Sequence, residues 1–229
     1  MPDAMDPISA KASSGAGRMK LSNFFFDLDG TLVDSVPGIQ WSMEAALRAA
    51  GIGTPCPDLR PHIGPPIRSI LASVTGGAGA MLDQLEAEFR ESYDGEGWRR
   101  TALMPGAADI VAQLCRAGRD LWVVTNKPGL VSRLILRELG LLGFFREVLS
   151  RDSQTPAFAN KGQILTNLLQ RRCLDKAHSI MVGDTSEDCR AAAEAGIACV
   201  LVPHGYGGGL NDPLPDCCRR IAGWSELLA

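Results

Sequence analysis

The chain has 229 residues, of which 45% are apolar and 21% charged, with a formal net charge of −3; this suits one α/β domain with a buried core, or a core with a smaller insertion. The charge excludes an electrostatic footprint for nucleic acid or an anionic membrane, so an anionic ligand has to be held by a local site. No apolar run approaches the roughly 20 residues of a membrane helix, and residues 1–20 lack the apolar centre of a signal peptide, so they read as a mobile tail with Met19 as an alternative start.

Along the chain, short apolar runs alternate with helically periodic ones, which predicts a doubly wound, mainly parallel Rossmann-like α/β sheet covered by helices. The strands are expected at 23–28, 121–125, 147–150, 179–182 and 199–202. Helical faces are expected at 109–117, through Ile110, Val111 and Leu114, and over 130–139 and 163–169. Between the first two strands lies a long stretch without a core strand, 36–102. Ser35 is a candidate cap, Pro37 sits in the first turn and Gly51 follows the last periodic residue of its first helix. Further helices are expected at 67–74 and 81–93. The domain reading is a core of 21–35 and 103–229 with a helical cap of 36–102. The seven cysteines are odd in number and scattered, which favours a reducing cytoplasm over a disulfide framework. Adjacent Cys217 and Cys218 suggest a redox or metal site, but no second pair accompanies them in the sequence.

Ligands of a parallel sheet collect beyond the carboxyl ends of its strands. The polar residues expected there are Asp27 and Asp29, Thr125 and Asn126, and Asp184, with Lys161 opening a helix near the same edge. Asp27 and Asp29 alternate in extended chain and so share a face; two carboxylates that close repel unless a cation intervenes, and Mg²⁺ prefers such oxygen donors. Thr125 and Asn126 either donate to phosphate oxygens or cap the next helix. An ammonium at a helix start opposes the helix dipole unless an anion lies beside it, which applies to Lys161, with Lys127 its rival. Gly183 permits a tight turn before Asp184, and Asp188 either supports a metal there or complements the dipole of the following helix.

Taken in order, Asp27-Leu28-Asp29-Gly30-Thr31-Leu32-Val33-Asp34-Ser35, the apolar strand into Thr125-Asn126-Lys127, Lys161, and Gly183-Asp184 followed by Asp188 resemble the haloacid dehalogenase-like hydrolase superfamily, over about 23–228. Phosphoglycolate phosphatase-like members, with a helical cap between the first two motifs, are the most similar. The resemblance implies that Asp27 is a nucleophile forming an aspartyl-phosphate, Asp29 the acid and base, Thr125 an orienting hydroxyl and Lys161 a neutralising cation. It also implies that Asp27, the backbone carbonyl of Asp29 and Asp184 hold Mg²⁺, steadied by Asp188. In the cap, the loop around His62-Ile63-Gly64-Pro65-Pro66-Ile67-Arg68 is similar to the family's substrate loop, which makes Arg68 and His62 candidate contacts to the substrate.

The expected substrate is a small phosphorylated metabolite, phosphoglycolate first, handled by a cytoplasmic monomer or homodimer that binds neither nucleic acid nor membrane. Asp29 disfavours a dehalogenase. A nucleotidase or pyrophosphatase stays open, and a phosphosugar mutase is less suited because Ile39 stands where such enzymes carry a His. A phospho-accepting signalling domain is the non-enzyme alternative, against which the long insertion argues.

Overall fold

β1 (Asn23–Phe26) carries three consecutive phenylalanines, all buried. Side chains alternate across a strand, so such a run is satisfied only in the middle of a sheet covered on both faces. That is where it lies in the computed structural model, which describes residues 21–207 and 213–228; the expected tail over 1–20 falls outside them. The main sheet also contains β4 (Asp120–Thr125), β5 (Glu147–Ser150), β6 (Ser179–Gly183), β7 (Ala198–Leu201) and β8 (Cys218–Arg220), in the order β5-β4-β1-β6-β7-β8. All its pairings are parallel, with Phe26 in register with Val123 on one side and Val182 on the other.

The alternation divides the core in two. Phe24 and Phe26 join Leu121, Val123, Ile180 and Val182 under α4 (Ala107–Arg116) and α5 (Gly129–Glu138). Phe25, Trp122, Val124 and Met181 lie under α6 (Lys161–Arg171) and α7 (Ser186–Ala195). The fold is therefore the doubly wound parallel sheet that the alternating pattern predicts. All five expected strands form, within a residue or two of their expected bounds.

β8 is an addition to that expectation. Its Cys-Arg-Arg sequence has no apolar alternation, and it is recruited as an edge strand through backbone pairing with β7. A second addition is the two-stranded ribbon of β2 (Val33–Asp34) and β3 (Ala102–Leu103), which pair antiparallel. Between them run α1 (Val36–Ala49), α2 (Ile67–Thr75) and α3 (Gly79–Gly95). The ribbon closes the base of this helical segment, so its entry and exit lie side by side. Strands this short carry no periodicity and are invisible in the sequence.

α1 packs on α3 and on the turn that follows it, 97–100. Two glycines set that approach: a Cβ on Gly38 would strike the carbonyl of Gly97, and a Cβ on Gly97 would strike Ser42 Oγ and the ring of Tyr93. Among the described residues, no helix is long and apolar enough to cross a membrane. Gly97→Ala is expected to lower stability by about 1–3 kcal/mol through overpacking, read as a lower denaturant midpoint at unchanged m-value.

Candidate active site

From β1 the neighbouring strands lead to β4 on one side and β6 on the other, which makes the carboxyl end of β1 the switch point of the sheet. Asp27 leaves β1 there, its N–H donating to Val182 O at 2.9 Å. Thr125 is the last residue of β4, and Asp184 follows the last residue of β6.

The chain after Asp27 folds back at once. Leu32 and Val33 donate their N–H groups to Leu28 O at 2.9 and 3.0 Å, and Gly30 N–H donates to Val33 O at 2.8 Å. Gly30 has φ 82°, open to glycine at little cost. It is also the point of closest approach, because a Cβ there would collide with Asp184 Oδ2 and the Tyr206 ring. Across the site, Thr185 and Asp188 form a capping box at the start of α7. Asp188 Oδ2 accepts from the N–H groups of Asp184 at 3.1 Å and Thr185 at 3.0 Å, and from Thr185 Oγ1 at 3.0 Å.

Lys161, the first residue of α6, reaches into this ring. Its Nζ lies 2.9 Å from Asp27 Oδ1 and 2.7 Å from Asp188 Oδ1, and all three side chains are at least 95% buried. The helix behind it is capped independently by Asn160, whose Oδ1 accepts from Gln163 N–H at 2.8 Å. Asp27, Asp184 and Asp188 bring ligand atoms within 4.8 Å of one another. Three buried carboxylates thus face one ammonium. Burial, then repulsion among these carboxylates, holds the Asp27 carboxyl well above the usual range despite Lys161. The same causes push Asp184 up to about 7. Conversely, the carboxylates hold the Lys161 ammonium above its usual range against the effect of burial. This all-oxygen set with excess negative charge fits a divalent hard cation.

Asp29 belongs to a separate pair. Lys127 Nζ contacts its two carboxylate oxygens at 3.0 and 3.1 Å and sits 4.7 Å from the centre of the Tyr93 ring. Lys127 is therefore not a substitute for Lys161, since each lysine serves its own aspartate. Thr125 Oγ1 accepts from Lys127 N–H at 3.2 Å, which leaves the hydroxyl proton free to point outward.

Asp27, Asp29, Thr125, Asn126 and Lys127 line a cavity of about 100 Å³, whose opposite wall is Ile39, Ile63, Pro65, Ile67, Phe89 and Tyr93. Asn126 Nδ2 bridges the two sides, donating to Gly64 O at 2.9 Å and to Glu187 Oε1 at 2.7 Å. Two sequence candidates are not brought in. Arg68 turns to α3, where it pairs with Asp83 at 2.6 Å and Glu86 at 2.9 Å. His62 Nδ1 lies 3.4 Å from Ser73 Oγ. Neither lines the cavity: Arg68 is held by the acidic face of α3, while Arg90, which also donates to Glu86 Oε1 at 2.8 and 3.2 Å, is the guanidinium along its wall.

The chain matches the model for haloacid dehalogenase-like hydrolases over residues 24–202. It belongs to that family. It is 32% identical to a phosphoglycolate phosphatase of Vibrio vulnificus over 194 residues, covering 80% of this chain and 84% of the relative. It is 30% identical to a 5'-nucleotidase of Pseudomonas aeruginosa over 216 residues, covering 92% and 96%. It is also 37% identical over 183 residues to the tyrosine-protein kinase PtkA of Mycobacterium tuberculosis, 80% of this chain but only 62% of that longer relative. Among solved structures, a haloacid dehalogenase-like hydrolase from Streptococcus pneumoniae superposes with a TM-score of 0.79 at 26% identity, covering 91% of this chain and 97% of that one. The expected enzyme class, a phosphatase of this hydrolase family, agrees with the family match and with the phosphatase relatives.

Several residues of this hydrolase site have no motif of their own. Tyr206 N–H donates to Asp184 Oδ2 at 2.7 Å, and its hydroxyl donates to Asp34 Oδ1 at 2.7 Å while accepting from Ser35 N–H at 2.9 Å. Tyr206 thus ties the first acidic loop to the last. The one sequence signal for it is its flanking by Gly205 and Gly207, where a Cβ would collide with Asp184. Tyr93 ends the expected helix 81–93 with no motif of its own, and only folding turns it onto Lys127. Lys161→Met is expected to destabilise the metal-free protein by about 3–5 kcal/mol, because it strands buried carboxylates. Lys176→Met, at an exposed position, should change stability by less than about 0.5 kcal/mol in the same urea titration.

Proposed function

We propose that the chain is a Mg²⁺-dependent phosphatase that hydrolyses a small phosphate monoester through a phosphoaspartate on Asp27. The observation carrying this reading is the position of Asp27: at the switch point of the sheet, 2.9 Å from a fully buried lysine and inside a cluster of three carboxylates. A structural role alone gives no reason to bury so much like charge in one place. Asp27, the backbone carbonyl of Asp29 and Asp184 would hold the ion, with Asp188 behind them. When bound, Mg²⁺ supplies positive charge against the phosphate oxygens, keeping the ester close to an ionised Asp27.

The chain's own groups then account for the two displacements. An oxygen of Asp27 attacks phosphorus while the bond to the leaving oxygen breaks, and Asp29 gives that oxygen its proton. Asp29 next takes a proton from water. The water oxygen attacks phosphorus, the bond to Asp27 breaks, and inorganic phosphate departs. Lys127 fixes the orientation of Asp29, the Thr125 hydroxyl donates to a phosphoryl oxygen, and Lys161 offsets charge on Asp27 in both steps. In this reading 36–102 is a cap on a core of 21–35 and 103–229, and Asn126, through Gly64, latches its loop over the site.

For the substrate, phosphoglycolate comes first, with Arg90 replacing Arg68 as the partner of its carboxylate. Ile39 lies buried in the cavity wall, which favours hydrolysis over the mutase alternative. A 5'-nucleotide is the second reading, favoured by the relative that matches almost end to end. We place the enzyme in the cytoplasm, as a monomer or homodimer, with its seven cysteines free.

A phosphate-release assay over phosphoglycolate, other small monoesters, 5'-nucleotides and a phosphotyrosine peptide tests the proposal. Chelation should abolish turnover and Mg²⁺ restore it. Asp27→Asn should lower kcat by about 10³-fold or more while the protein still unfolds cooperatively. Undiminished Mg²⁺-dependent hydrolysis by Asp27→Asn would sink the mechanism.

A further inference from the structure

Where α7 packs on the edge of the sheet, cysteines that are scattered in sequence come together. Cys189 projects from α7, while Cys199 on β7 and Cys218 on β8 are paired positions of adjacent parallel strands. Neighbouring strands lie about 4.8 Å apart, and paired residues share a face, so these two thiols stand side by side. The three sulfurs lie within 4.8 Å of one another. Cys217 adds a fourth, with its Sγ 3.6 Å from that of Cys218. Cys199 N–H donates to Cys217 O at 2.8 Å, which anchors the Cys217-Cys218 pair to β7.

Packing alone does not require this arrangement. A buried thiol can act as a small hydrophobe, but alanine or valine would serve as well in one of these places. Hydrogen bonding explains little of it, since the thiols meet one another, as Cys217 meets Cys218 at 3.6 Å, and otherwise reach carbonyls at 3.8 Å, Cys199 to Val200 O and Cys218 to Cys189 O. The other cysteines (Cys56, Cys115 and Cys173) stand apart and at least partly exposed. Cys189 and Cys199 are buried while Cys217 and Cys218 are half-buried, so the cluster has a closed floor and an approach from solvent.

We propose that Cys189, Cys199 and Cys218 form a binding site for a thiophilic d¹⁰ metal ion such as Zn²⁺, with Cys217 in reach as a fourth ligand. Thiolates about 2.3 Å from such an ion stand about 3.8–4.0 Å from one another, so the present spacing closes onto it with small side-chain rotations. Binding replaces each S–H bond by a sulfur–metal bond and releases the proton to solvent. A disulfide between the strand pair would use two sulfurs and leave Cys189 idle, whereas an ion uses all three. It would also clamp the first turn of α7, which carries Asp188, to the edge strand β8.

The test takes the full chain, reduced and stripped of metal by a chelator, in excess Mg²⁺, and titrates it with Cd²⁺. The expected result is a thiolate-to-metal charge-transfer band saturating at about one equivalent, with proton release and a higher Tm. Cys218→Ser, at the half-buried position least able to disturb the core, should weaken Cd²⁺ binding at least about tenfold, as should Cys199→Ser. Cys56, Cys115 and Cys173 changed together to Ser should leave the band intact. Circular dichroism and phosphate release verify that each variant is folded. The proposal is overturned if the reduced wild type develops no band, if Cys218→Ser keeps it at full strength, or if the three-fold control loses it.

Discussion

The contact on which the rest of the structure depends is that of Lys161 Nζ with Asp27 and Asp188. An ammonium and two carboxylates out of water cost several kcal/mol each to desolvate, and a pair of this kind seldom improves on apolar residues of the same shape. Its presence at the centre of the molecule is therefore better explained by chemistry than by stability. The lysine comes from the start of α6, the aspartates from the ends of β1 and the first turn of α7. These elements have to meet within a few tenths of an ångström for the charges to be matched. The apolar layers that hold them, Phe25 against Trp122 on one face and Phe26 against Phe145 on the other, supply the rigidity for this.

Around that contact, charge is matched in separable units. Lys127 and Asp29 form their own pair beneath Tyr93, while Asp184 is held by backbone N–H groups of Tyr206 and Gly207. Such division lets two aspartates two residues apart, in the turn that follows β1, stand in different electrostatic settings, one within the carboxylate cluster and one outside it. This is a common way for one site to assign distinct roles to chemically identical groups. The glycines at 30, 183 and 205 are the geometric condition for it, because a Cβ at any of them would overlap Asp184 or Asp188.

α7 is where the aspartate site and the cysteine cluster meet. Asp188 faces Lys161, and its neighbour Cys189 faces the edge of the sheet. One short helix therefore couples the site at the strand ends to the strand pair β7–β8.

The sequence by itself determined the sheet, its five main strands and the family. Burial on two faces leaves continuous apolar runs, helices leave a periodic face, and a site built at strand ends leaves its polar residues immediately after those runs. Asp27, Asp29, Thr125 and Asp184 were legible for that reason, and Lys161 because a cation stands at the start of a helix. Tertiary structure alone decided which lysine serves which aspartate, since Lys127 and Lys161 both stand beside helix starts and only distance separates them. It also decided that Arg68 and Arg90 share Glu86 while only Arg90 lines the cavity, because neither helix records in its own sequence what packs against it. Tyr206, the β2–β3 pairing and the gathering of Cys189, Cys199 and Cys218 were hidden for the same physical cause. Each is a contact between segments far apart in the chain, and such a contact leaves no local periodicity by which to be read.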